Sequence, residues 1–236
     1  MNPATGGHAA PAPLPRHTLA WPATAARADL LSQAIDAGAR VALARWLDAA
    51  LPLVVRRADA SALEPAPRVH LGLPLPPDQG KRRLAFVLAP KHLSRCAPPP
   101  TLQRVGAALP VPWRRPLAAL DRDARDLGVT LRVFGSAAWQ TLTGFAYLRA
   151  DSDVDLLLRP DSSEQLDATL ELFDRFEAAA GLRIDAEILF ADDRAVAWRE
   201  WRQAASADDR VLVKSLAGAA LARRADLCIE YAGAAA

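Results

Sequence analysis

The sequence predicts an α+β fold of the mixed α/β kind, in which a short mixed sheet with flanking helices follows a smaller α/β N-terminal unit. Three observations carry this expectation. In "FGSAAWQTLTGFAYLRADSDVDLLL", residues 134–158, two aspartates occupy alternate positions of an otherwise apolar strand. Alternation puts Asp153 and Asp155 on one face, where two carboxylates repel and lose hydration unless a cation sits between them. The amphipathic stretch "DSSEQLDATLELFDRFEAAAG" separates that strand from a second acidic one, "LRIDAEILF", and strands alternating with helices indicate a layered sheet. Upstream, two β-type runs flank a Pro/Asp/Gly segment in "RVHLGLPLPPDQGKRRLAFVLAP", the pattern of a hairpin with a longer loop.

Taken in order, residues 1–18 are rich in Pro, Ala and Gly without a hydrophobic period and are expected to form a flexible leader. Leu30, Leu31, Ile35, Val41, Trp46 and Leu47 predict a helix from Asp29 to Ala50, interrupted at Gly38 and ended by Pro52. "LPLVVRR" reads as a strand and the hairpin follows, with Lys81, Arg82 and Arg83 beside its loop. Consecutive prolines in "CAPPPTLQRVGAALPVP" resist both helix and sheet. The boundary is therefore placed near residue 110, giving an N-terminal substrate-binding domain over 19–110 and a catalytic domain over 111–236.

In the second domain a helix over Leu117–Leu127 is stopped by Gly128, and the strand "TLRVF" runs into Gly135-Ser136. Asp161, with Glu164 three residues on, is close to a capping box for a helix carrying Leu166, Leu170, Phe173 and Phe176. The next strand puts Ile184, Ala186 and Ile188 on one face and Asp185 and Glu187 on the other. "AVAWREWRQA" and "VLVKSLAGAALARRADL" read as two helices.

Composition bounds the function classes. Of 236 residues 51% are hydrophobic, enough for a sizeable core, and 29 Lys plus Arg against 27 Asp plus Glu leave a formal charge of +2. No basic, aromatic-bearing stripe of the kind that tracks a nucleic-acid strand is visible, so no nucleic-acid partner is expected. Cys96 and Cys228 are far apart, and His8, His17, His70 and His92 are scattered, which leaves no zinc pattern. There is no secretory signal order and no apolar run of transmembrane length, so a soluble cytoplasmic protein without a membrane partner is expected. Dinucleotide and P-loop glycine signatures are absent.

A strand ending in Gly-Ser at a helix mouth turns backbone N–H groups and a hydroxyl toward a phosphate. Alone that signal is weak. Joined to Asp153, Asp155 and the second acidic strand, it supplies three or four convergent oxygens suited to Mg²⁺, which prefers carboxylates and substrate phosphates. Against this stand plainer readings: Asp185 and Glu187 as a solvated strand face, Lys214 as a surface lysine, and Trp139, Trp198 and Trp201 as core or interface aromatics.

Strand, Gly-Ser, helix, Asp-x-Asp and then a later acidic strand resembles the polymerase-β-type nucleotidyltransferase fold, although Asp153 follows Ser136 by 17 residues where many members have about ten. With "LPLVVRR" upstream and "IDAEILFADDRAVAWREW" and "VLVKS" downstream, the chain is similar from about residue 40 to 225 to the malonate decarboxylase holo-acyl-carrier-protein synthases, or phosphoribosyl-dephospho-CoA transferases. The resemblance implies a donor, 2′-(5″-triphosphoribosyl)-3′-dephospho-CoA, and an acceptor serine on the malonate decarboxylase acyl carrier protein, with pyrophosphate released. It implies Asp153 and Asp155 as Mg²⁺ ligands, with Asp185 or Glu187 as the third carboxylate, serving the metal or the acceptor's deprotonation. Gly135 and Ser136 would seat phosphates, while Lys214 and some of Arg56, Arg57 and Arg149 would balance charge. The donor is expected in a cleft between the two domains. Transfer to another small molecule or protein, or a non-catalytic carrier-binding subunit, are the alternatives.

Overall fold

The computed structural model describes residues 14–58, 67–80, 82–190 and 193–228. Lys81, His8 and most of the expected leader lie outside the described residues.

The first half is built on an antiparallel sheet of five strands, β1 (Leu19–Pro22), β2 (Leu53–Val55), β3 (Val69–Pro74), β4 (Arg83–Leu88) and β5 (Leu93–Ala97), in the order β4-β3-β2-β1-β5. β3 and β4 form the expected hairpin in unbroken register from Val69↔Leu88 to Pro74↔Arg83. The single helix expected over Asp29–Ala50 is two, α1 (Arg27–Ser32) and α2 (Ala37–Asp48). The break falls before Gly38 because Asp36 leaves the helical region to cap α2, its Oδ1 accepting from the Ala39 N–H at 2.7 Å while Arg82 holds the other oxygen at 2.6 Å.

The second half contains α3 (Leu102–Val105), α4 (Val111–Asp126), β6 (Arg132–Val133), α5 (Gly135–Thr143), β7 (Val154–Leu158), α6 (Ser163–Ala180), β8 (Ile184–Leu189), β9 (Ala195–Ala197), α7 (Trp198–Gln203), β10 (Arg210–Lys214), β11 (Ala219–Arg223) and α8 (Arg224–Cys228). Its sheet runs β11-β10-β9-β8-β7-β6. Only β7 and β8 are parallel, and α6 is the crossover such a pair requires. The two sheets and eight helices of the described residues make the fold α+β.

Four local expectations need correction. Helix α6 is capped by Ser162, whose Oγ accepts from the Gln165 N–H, while Gln165 Oε1 accepts from the Asp161 N–H; the reciprocal cap is displaced by one residue from Asp161 and Glu164. Helix α4 begins at Val111, well before the expected Leu117, and contains Pro116. The stretch read as a C-terminal helix is the β10–β11 hairpin followed by the short α8, and "AVAWREWRQA" starts with β9 before α7. Alternating Val211 and Val213 bury one face of β10 in the core, and Ser215 with Gly218 makes the turn, which outweighs the helix propensity of the alanines.

Core membership shows how the halves meet. Val154, Leu156, Leu158, Ile184, Ala186 and Ile188 face a core shared with α4 and α6, and Leu102, Val105 and Leu109 belong to the same core. Trp139 of α5 and Tyr147 instead join the core of the first sheet, with the Trp46 and Trp139 rings 5.6 Å apart. The opposite face of the second sheet carries the acidic residues together with the buried Leu157.

Candidate active site

Asp155 and Asp185 are register partners on the parallel strands β7 and β8, so their side chains leave the same face side by side. Asp153 precedes Asp155 at the mouth of β7. On the same face Glu187 follows two residues after Asp185, and Lys214 projects from β10, whose alternate residues Val211 and Val213 point into the core on the other side.

The Asp155 carboxylate rests against the start of α5. Phe134 donates its N–H to the Asp155 carbonyl at 3.1 Å, and Gly135 takes φ +61°. A Cβ on Gly135 would lie 1.9 Å from Asp155 Oδ2, so glycine is required both by the backbone angle and by the approach of the carboxylate. Burial pushes Asp155 up to about 7 from 3.8; Asp185 adds to this, the Ser136 backbone N–H opposes it, and Asp153 and Glu187 raise it further. Four carboxylates thus share one electrostatic neighbourhood.

Glu187 has a different environment from the rest. It is only 5% exposed and accepts from Arg16 Nη2 at 2.8 and 3.1 Å and from Lys214 Nζ at 3.0 Å, with His17 Nε2 at 3.2 Å. Burial would raise its pKa, but His17, Arg16 and Lys214 outweigh that and hold it well below the carboxylate range. A carboxylate committed to this many basic groups is poorly suited to a metal. Of the two acidic residues on this face of β8, Asp185 is exposed, whereas Glu187 is buried and held by cations.

The remaining expected residues are distributed unevenly. Lys214 is brought to the site, on a strand rather than the expected helix. Arg56 donates to the carbonyls of Leu71 and Arg57, and Arg57 and Arg149 are exposed. Arg16 and His17 were not anticipated, because they fall inside the expected leader and a basic pair before an apolar strand carries no distinctive spacing. The interval between Ser136 and Asp153 is α5 plus a fastened loop: Gln140 Oε1 accepts from the N–H groups of Tyr147 and Leu148, and Tyr147 donates its hydroxyl to the Pro74 carbonyl at 2.8 Å. Beside this loop, Val41, Arg45, Trp46, Leu75 and Phe145 border a mainly apolar cavity of about 680 Å³.

Among the described residues no three His, Cys, Asp or Glu side chains are gathered as a ready-made metal cage. Two adjacent carboxylates against a glycine cradle nevertheless fit Mg²⁺, which commonly takes one or two protein carboxylates and completes its shell with water and substrate phosphates.

Comparison with known proteins decides the family. Residues 15–99 match the phosphoribosyl-dephospho-CoA transferase MdcG N-terminal domain, and residues 101–225 match the corresponding C-terminal domain. The chain belongs to the phosphoribosyl-dephospho-CoA transferase family. A member so named from Xanthomonas euvesicatoria is 42% identical over 212 residues, 90% of this chain and 95% of its own length. Another from Xanthomonas campestris is 40% identical over 219 residues, 93% of this chain and 99% of its own. A third, from Bradyrhizobium diazoefficiens, is 38% identical over 201 residues, 85% and 86% of the two chains. No solved structure matches. The chain is thus a member of a transferase family, and no helix among its described residues is long and apolar enough to cross a membrane. The family's two domains meet at residue 100, whereas composition placed the division near 110.

Proposed function

We propose that the protein transfers the phosphoribosyl-dephospho-CoA group from 2′-(5″-triphosphoribosyl)-3′-dephospho-CoA to a serine of the malonate decarboxylase acyl carrier protein, releasing pyrophosphate. The observation that carries this reading is the in-register Asp155–Asp185 pair beside Gly135, in a chain matched by both domains of the family. On this proposal the second half has the chemistry of a polymerase-β-type nucleotidyltransferase.

Asp153 and Asp155 would hold Mg²⁺, with Asp185 adjoining. When bound, the ion supplies positive charge to offset the charge that develops as pyrophosphate departs. The chain's own residues do the rest. Asp185, exposed beside Asp155, accepts the proton of the incoming serine hydroxyl, a poor nucleophile until it loses that proton. The serine oxygen forms a bond to the phosphorus attached to the ribose, the bond from that phosphorus to the pyrophosphate oxygen breaks, and the electron pair leaves with pyrophosphate. At the start of α5 the Ser136 hydroxyl would meet the phosphates, while the Ser136 backbone N–H is held by Asp155. The apolar cavity at Trp46 and Phe145 suits the less charged part of a CoA-like donor.

The test is mass spectrometry of the apo carrier after incubation with this protein, Mg²⁺ and the donor, with Asp153→Ala as control. A mass gain equal to the phosphoribosyl-dephospho-CoA group, absent with the variant, is expected. No gain with verified donor and carrier rules out this donor and acceptor, and transfer from nucleoside triphosphates becomes the reading to test.

A further inference from the structure

Three features of the Arg16–His17 turn are unexplained by the carboxylate site. His17 is a non-glycine residue at φ +67°, a left-handed conformation that costs energy and persists where surrounding contacts enforce it. Its ring is held against Phe134, with centroids 4.3 Å apart, and against Glu187. Arg16 Nη1 is buried without a hydrogen-bond partner, although Nη2 of the same guanidinium contacts both Glu187 oxygens and His17 Nε2. Buried donors are nearly always satisfied, so a missing partner asks for an explanation.

The third feature is a charge imbalance. Glu187 is one negative charge facing the permanent charges of Arg16 and Lys214, so the cluster carries surplus positive charge before His17 is considered. The Lys214 side chain is 37% exposed and uses one of its three N–H groups on Glu187, leaving two for another acceptor. This surplus lies on the same sheet face as Asp155 and Asp185, two residues along β8, or about 7 Å at the strand rise. An excess of cations next to an excess of carboxylates suits a ligand that brings both a metal and its own anionic oxygens.

We propose that the Arg16–His17 turn and Lys214, both fixed on Glu187, form an anion subsite that takes the terminal phosphates of a polyphosphate donor. The proposal rests on the transferase reading for the identity of that donor, but the subsite itself is defined by these three side chains. A guanidinium and an ammonium are the groups best suited to phosphate oxygens. A small displacement of the turn gives Arg16 Nη1 the acceptor it lacks. The N-terminal segment thereby contributes to the chemistry of the second sheet.

Titration of the full-length protein with inorganic pyrophosphate in EDTA, followed by calorimetry, tests the subsite without metal or group transfer. Loss of a charge-assisted contact corresponds to roughly a 10- to 100-fold change in affinity. Arg16→Ala and Lys214→Ala are each expected to weaken binding by that factor, and Arg16→Lys to recover part of it. In transfer assays the same variants should raise the donor KM more than they lower kcat. Wild-type pyrophosphate affinity in folded Arg16→Ala and Lys214→Ala proteins overturns the subsite, as does a wild-type protein that binds no pyrophosphate. If Arg16→Ala does not fold, Lys214→Ala decides alone. Pyrophosphate binding that depends on Arg16, in a protein that modifies no carrier, keeps the subsite and removes the transferase reading. Carrier modification with a donor KM indifferent to both substitutions does the reverse.

Discussion

Asp155 and Asp185 lie side by side across the parallel strand pair of the second sheet, and the Asp185 carboxylate makes ionisation of Asp155 less favourable. The cost falls on Asp155, which is the more buried of the two.

Removing that charge should stabilise the metal-free protein while disabling it. The folded pKa of Asp155, about 7, lies above its ordinary value of 3.8, so the folded state binds the proton more tightly. Stability therefore falls as pH rises from about 4 to about 7, and the penalty is full above that window. Asp155→Asn is expected to raise stability in EDTA by on the order of 2 kcal/mol at pH 8 and by nearly nothing at pH 4. Transfer activity should drop by about 10³-fold or more. Thermal melts at the two pH values, with an activity assay, check both signs.

Gly135→Ala introduces a Cβ at 1.9 Å from Asp155 Oδ2 and strains a backbone held at φ +61°. The carboxylate or the helix start must move, so a loss of about 1–3 kcal/mol in stability is expected together with most of the activity. Urea denaturation measures the first. Full activity in the variant would show that the Asp155 position is not critical.

Glu187→Ala leaves Arg16 and Lys214 without their counter-charge, and breaking a buried pair from one side costs about 3–5 kcal/mol. Glu187 is held below its ordinary pKa, so its contribution is present above about pH 4.5 and is lost as pH falls toward the folded value. The gap in denaturation midpoint between wild type and variant should narrow on acidification below pH 4.5.

Tyr147→Phe removes the hydroxyl bonded to the Pro74 carbonyl and leaves that acceptor unpaired in a covered position. A cost of about 1–2 kcal/mol is expected. Hydrogen exchange of the loop over residues 144–152 should rise with it, since Tyr147 and Gln140 are what fasten this segment.

The sequence was most readable where period and chemistry agree. β7, α6 and β8 alternate cleanly, and the Asp153/Asp155 and Asp185/Glu187 pattern showed which sheet face is acidic. The β10–β11 hairpin was misread because "AGAALARRA" has strong intrinsic helix propensity, while its pairing is set by partners distant in sequence. The acidic pattern also did not separate Asp185 from Glu187. What separates them is Arg16, 171 residues away in the chain and indistinguishable by composition from a mobile leader.

The placement of Trp139 bears on whether the family's two domains are separate pieces. Helix α5 belongs to the second domain by sequence, yet its tryptophan is buried with Trp46 and Tyr147 in the core of the first. A gene cut at residue 100 would leave one fragment with an aromatic socket and the other with its plug. Co-expressed, the halves should reassemble without a linker, and either expressed alone should be prone to aggregation.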